Sequence, residues 1–176
     1  MRALVVYESL YGNTAAVGEA IASSLRNREL DVEVGPVSEI ESMRADGVEL
    51  LVVGGPTHVH GMSSSRSRRD AASDEKNTFA TPTLEPGLRT WLEDLAPGDG
   101  RLAAAFDTRI DKPAILTGSA AKGIGRRLEG RGFRLVAKPQ SFFVSTANRL
   151  LDDELERAAA WAGEVARESR PIAAAR

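Results

Sequence analysis

The chain has 176 residues, 23 of them basic and 25 acidic, for a formal net charge of −2. So balanced a charge supplies no strong field to draw the molecule onto nucleic acid or an anionic membrane. Cysteine is absent, which excludes disulfides, thiolate metal sites, iron–sulfur clusters and cysteine nucleophiles. No apolar run approaches the roughly 20 residues that span a bilayer. One Arg precedes only five apolar or aromatic residues, so the start reads as a first strand rather than a signal sequence. A cytoplasmic protein without membrane insertion is therefore expected, with one domain over residues 1–170, a polar loop insertion at 62–85 and a frayed tail at 171–176.

Ala3 to Tyr7 is an apolar run that reads as a first strand. It leads through Glu8-Ser9-Leu10-Tyr11-Gly12-Asn13-Thr14 into a helix over Thr14 to Arg28, with Val17, Ile21 and Leu25 on one face. Asp31 to Val37 predicts a second strand. Ser38 to Arg44 predicts a short helix capped by Ser38, with Glu41 three residues on. Leu50-Leu51-Val52-Val53 is continuously apolar, as expected of a strand covered on both faces. Met62 to Glu85 is polar throughout and lacks the residues to build a core.

Pro86 to Leu95 resumes a helical pattern with Leu88, Trp91, Leu92 and Leu95 on one side. Arg101 to Phe106 predicts the fourth strand. Ser119 caps a helix over Ala120 to Gly130 that ends in glycine. The fifth strand falls within Phe133 to Val144, and the last helix runs from Asp152 to about Ser169. Strands alternating with helices imply an α/β fold, a three-layer doubly wound sandwich around a five-stranded parallel sheet of order 2-1-3-4-5. In such sheets ligands bind beyond the carboxyl ends of the strands, where the winding reverses. The loops Ser9 to Thr14, Pro56 to Gly61 and Asp107 to Asp111 converge there.

A polar turn feeding a helix N-terminus gathers backbone N–H groups and partial positive charge, the ingredients of a phosphate site. The first loop lacks the lysine of a Walker loop and two of the three glycines of a dinucleotide fingerprint, so a monophosphate held by neutral donors is the ligand it suits. The bland alternative is helix capping by Asn13 or Ser9. His58 and His60 are one residue apart, but no third ligand of the usual kinds follows, so a metal site is not expected. Arg66, Arg68 and Arg69 carry no interleaved aromatics and are followed by Asp70, Asp74 and Glu75, which argues against a nucleic-acid platform. Neither Ser9 nor any other residue fits a nucleophile triad.

These loops resemble those of the flavodoxin family, whose members bind flavin mononucleotide (FMN). Ser9-Leu10-Tyr11-Gly12-Asn13-Thr14 matches the family's phosphate loop, with Tyr11 in place of a small hydroxyl residue. Gly54-Gly55-Pro56-Thr57-His58 matches its second loop, with a histidine at the aromatic place, and Phe106-Asp107-Thr108-Arg109 occupies the third loop by position. The resemblance implies an FMN-binding redox protein. Ser9, Leu10, Tyr11, Gly12, Asn13 and Thr14 would cradle the phosphate. Pro56, Thr57, His58, Val59, His60 and Gly61 would wall the ring, with Phe106, Asp107, Thr108 and Arg109 at its other side. A β-branched Val59 disfavours positive φ, so the turned-over peptide by which the family stabilises one-electron-reduced flavin is disfavoured here.

Two roles follow from the resemblance. One is electron transfer to a redox partner protein. The other is FMN-dependent oxidoreduction of the quinone-reductase or protoporphyrinogen-oxidase type, with a small acceptor such as a quinone. A third possibility is a binding or regulatory module that keeps the fold with weak or no flavin affinity. No catalytic residue is assigned, and either a monomer or a homodimer is compatible with the chain.

Overall fold

The computed structural model describes residues 1–58, 61–74, 77, 79 and 86–173. Its sheet is built from β1 (Arg2–Tyr7), β2 (Asp31–Pro36), β3 (Leu50–His58), the two-residue β4 (Gly61–Met62), β5 (Leu102–Ile110), β6 (Arg134–Leu135) and β7 (Gln140–Val144). The helices are α1 (Asn13–Arg26), α2 (Ser65–Ala72), α3 (Leu88–Glu93), α4 (Ala114–Thr117), α5 (Ala120–Gly130) and α6 (Glu154–Ala173). The strand order is β2-β1-β3-β5, with β6 and β7 both pairing beside β5. All these pairs are parallel, and only β4 turns back antiparallel on β3. The expected 2-1-3-4-5 order is thus present, its fifth place shared by two short strands.

The split has a local cause. Lys138-Pro139 stands between β6 and β7, and proline cannot donate to a ladder. The fourth strand runs further than the apolar pattern indicates, because Asp107 to Ile110 pair with Ser141 to Val144 after the hydrophobic run has ended.

Each face of the sheet carries its own core. On one, Val17, Ile21 and Leu25 of α1 and Trp161, Ala162 and Val165 of α6 pack against Val5, Val52 and Ala104. On the other, Leu88, Trp91 and Leu92 of α3 and Ile124 and Leu128 of α5 pack against Val6, Val53 and Ala105. Each fully buried aliphatic side chain contributes about 2 kcal/mol. Phe106, Phe142 and Trp161 meet edge to face, with centroids 6.1–6.4 Å apart. Gly54 makes room for this cluster, since a Cβ there would lie 2.1 Å from the Phe106 ring.

Three further expectations change. The helix over Ser38 to Arg44 is replaced by a 3-10 turn at Ser42–Ala45, which the Ser38 side chain does not cap. The insertion at 62–85 is not all loop. It forms β4 and then α2, whose N-cap Ser64 and N3 residue Ser67 bond each other's backbone reciprocally. The last helix continues through position 171 to Ala173, so the tail does not begin at 171.

Candidate functional site

At the carboxyl edge of the sheet, the loops after β1 and β3 and the end of β5 enclose a cavity of about 270 Å³. Leu10, Tyr11, Asn13 and Thr14 come from the first loop, Pro56, Thr57 and His58 from the second, and Thr108, Arg109 and Ile110 from β5. The structure thus brings together residues of all three expected loops.

The first loop turns through Gly12, at φ 84°, before α1 begins. The backbone N–H groups of Tyr11, Gly12, Asn13 and Thr14 bond no acceptor among the described residues. Those donors stand at the positive end of the α1 dipole. The two side-chain hydroxyls expected in the cradle also bond within the protein. Ser9 Oγ accepts from Ala15 N–H (3.2 Å) and so caps α1. Thr14 Oγ1 and Thr108 Oγ1 share a buried hydrogen bond of 2.7 Å that ties the first loop to β5. The capping reading and the cradle reading therefore coexist, the side chain of Ser9 serving the first and the free backbone donors suiting the second.

Glu8 sits buried one residue before this loop, where a carboxylate risks repelling an anion. It is fully committed elsewhere. Its Oε2 accepts from Leu88 N–H at 2.7 Å and lies 3.8 Å from the buried Arg68 guanidinium, while Oε1 accepts from Ser63 Oγ. Arg68 in turn lies so close to Gly87 that a Cβ there would stand 2.2 Å from its guanidinium. The insertion is thereby bolted to the end of β1. It also touches the first loop directly. Tyr11 Oη donates to Asp74 Oδ2 (3.2 Å), Asn77 Nδ2 donates to the Leu10 carbonyl (2.8 Å), and the Phe79 ring lies where a Gly12 Cβ would meet it at 3.0 Å.

In the second loop, Thr57 Oγ1 donates to Asp107 Oδ2 (2.9 Å) and accepts from Ala120 N–H (2.8 Å), so its side chain anchors α5. Burial pushes the His58 imidazole below its ordinary pKa, and the charge of Glu8 pulls the other way. Gly61 lies in β4, off the cavity wall. Val59 and His60, and with them the expectation about a turned-over peptide, lie outside the described residues.

The third loop is corrected most. Residues 106–109 are strand rather than loop. Phe106 is fully buried among Phe142 and Trp161, so it is a core residue with no access to the crevice. Asp107 is also fully buried. Its Oδ2 accepts from Thr57 Oγ1, Ser119 Oγ (2.8 Å) and Ala121 N–H (2.8 Å) at the start of α5, while Oδ1 has no partner among the described residues. No Asp107–Arg109 ion pair forms. Arg109 instead donates to the Lys112 carbonyl at 2.5 Å and to Thr117 Oγ1 at 3.2 Å, and lies 4.8 Å over the Phe143 ring.

Sequence reasoning missed Val144 and Asn148, which complete the cavity wall. The Asn148 carbonyl accepts from Asn13 Nδ2 at 2.9 Å, and Asn148 adopts φ 54°. The signal was available: asparagine at the end of a turn tolerates this conformation, and that turn follows a strand whose carboxyl end faces the same edge. Among the described residues, no group of three or more His, Asp or Glu is placed to hold a metal ion, and no helix is long and apolar enough to cross a membrane.

No protein-family model and no curated protein matches the chain. Solved structures do. A flavodoxin from the domain Archaea is 21% identical over 97% of this chain and 99% of its own, with a TM-score of 0.67. Flavodoxin 1 from Bacillus cereus is 18% identical over 95% and 98%, with a TM-score of 0.68. Rubredoxin oxygen:oxidoreductase from Desulfovibrio gigas is 17% identical over 97% of this chain but only 36% of its own, with a TM-score of 0.68. The chain therefore has the flavodoxin-like fold.

Proposed function

We propose that the crevice binds FMN and that the chain is an FMN-dependent redox protein. The observation that carries this reading is the set of four backbone donors, Tyr11 to Thr14, at the N-terminus of α1, which bond no acceptor among the described residues. They suit the phosphate, the only part of the cofactor that needs a site of this kind. Leu10, Pro56, Ile110 and Val144 offer apolar contact to a ring, and His58, Thr108 and Asn148 offer polar atoms at its edge. Arg109, pinned on carbonyls and stacked on Phe143, contributes a fixed cation on the wall. When bound, FMN supplies the electron chemistry, and these residues supply binding, access and potential.

The electrons would pass to a redox partner protein or to a small acceptor such as a quinone. The latter would make the chain an oxidoreductase of the quinone-reductase or protoporphyrinogen-oxidase type. The archaeal and Bacillus proteins that share the fold are named flavodoxins, which supports the carrier reading.

One observation favours a second reading, a flavodoxin-like module with weak or no flavin affinity. The cavity of about 270 Å³ is small against the roughly 300–1,000 Å³ of ligand pockets. The absorbance spectrum of the purified protein, followed by titration with FMN, separates the two. Binding of one FMN per chain at micromolar affinity or tighter is expected. A dissociation constant far above micromolar leaves the second reading.

A further inference from the structure

Beside the crevice, the corner from Ile110 through α4 into α5 is unlike the rest of the surface. Among the described residues the exposed large hydrophobics are Met43, Ile110, Ile115, Leu116 and Leu155. Three of these five lie within seven residues at this corner, and Ile115 and Leu116 are 89% and 62% exposed. Ile110 also lines the cavity wall, so this corner starts at the edge of the crevice. Lys112, Lys122 and Arg126 surround it in sequence, are all exposed, and form no salt bridge with any described residue. Lys122 and Arg126 are four residues apart on α5 and share one face.

From Arg109 to the end of α5 the chain holds five basic residues and two acidic ones, Asp111 and Glu129, although its overall balance is −2. An apolar centre with a polar, solvent-accessible rim is the anatomy of a protein docking site. The charge specifies the partner's sign. A four-residue helix with two exposed aliphatics is too short to lie in a bilayer surface as an amphipathic anchor.

We infer that this corner docks an acidic protein surface with an apolar centre, set against the mouth of the crevice. Its use as the place where electrons are handed on rests on the FMN reading, whereas the docking itself does not. The interaction would be steered by charge and would weaken with salt, because exposed ion pairs are screened within about 10 Å at 0.1 M.

The test uses the flavin-free protein, so that it stands or falls apart from FMN binding. A small acidic ferredoxin serves as probe, a basic c-type cytochrome as opposite-charge control, and anionic phosphatidylglycerol vesicles as a membrane control. Chemical-shift titration at low salt is expected to show the ferredoxin binding at residues 110–126, with affinity falling about tenfold as salt approaches the physiological range. The Lys122→Glu/Arg126→Glu variant is expected to lose that binding. The Ile115→Ser/Leu116→Ser variant tests the apolar centre independently and is expected to weaken it about tenfold with the salt dependence retained. Failure of the ferredoxin to bind at low salt, stronger binding by the cytochrome, preferential binding to vesicles, or indifference to both variants would overturn the inference.

Discussion

The backbone donors of the first loop depend on one glycine for their direction. At φ 84°, Gly12 occupies a conformation that costs a side-chain-bearing residue about 1–2 kcal/mol, and a Cβ there would press on the Phe79 ring at 3.0 Å. Gly12→Ala is expected to lower stability by about that amount, read as a shift in the urea midpoint, and to weaken FMN binding at least tenfold by re-aiming the neighbouring N–H groups. Unchanged affinity would mean that the turn does not present the phosphate donors. His58 makes a different prediction. Burial holds its pKa below the ordinary 6.5, so the folded state takes up a proton less readily than the unfolded one. Stability is then fully present above about pH 6.5 and falls as the pH drops below it, until the folded imidazole itself protonates. His58→Gln is expected to flatten the fall of the urea midpoint between neutral and mildly acidic pH. An identical slope in both proteins would contradict this.

At the scale of elements, α2 is held by polar groups rather than apolar ones. Arg68 and Glu8 are both nearly inaccessible to solvent, and removing one member of such a pair leaves the other uncompensated. Arg68→Ala is expected to cost about 3–5 kcal/mol, measured by denaturant unfolding. The Glu8→Gln/Arg68→Met double variant is expected to recover part of it, and strictly additive losses would mean that the two do not act as a pair. The same feature explains why α2 was illegible in the sequence. Hydrophobic periodicity reveals helices that bury an apolar stripe, such as α1 through Val17, Ile21 and Leu25 or α5 through Ile124 and Leu128, whereas α2 buries an arginine. Its start signal was present in Ser64 and Ser67, but a serine at the third position is a weaker mark than the usual Glu or Gln. Likewise β5 was cut short at Phe106 because Asp107 and Arg109 read as a loop. Partners at the N-terminal end of α5, such as Ser119 12 residues on, make the burial of Asp107 tolerable, and no local pattern announces them.

For the whole molecule, the apolar runs and glycine positions sufficed to place the crevice. They did not distinguish side chains that face it from side chains that build it. Ser9, Thr57, Phe106 and Asp107 all turn out to brace the architecture, through a bond to the first turn of α1, the α5 anchor, the core and a bond to the first turn of α5. What faces a ligand is chiefly backbone, with the Asn13 and Thr14 side chains, at one end and a mixed apolar and polar wall, Thr57 included, at the other. The phosphate should then dominate recognition, since each hydrogen bond to a charged group contributes about 1.5–3 kcal/mol. The most direct test compares FMN with riboflavin, which has the same ring and no phosphate, by fluorescence titration of one protein preparation. FMN is expected to bind one per chain at micromolar affinity or tighter, with riboflavin about 100-fold weaker. Equal affinities, or no measurable binding of FMN, would contradict a phosphate site in the loop from Ser9 to Thr14.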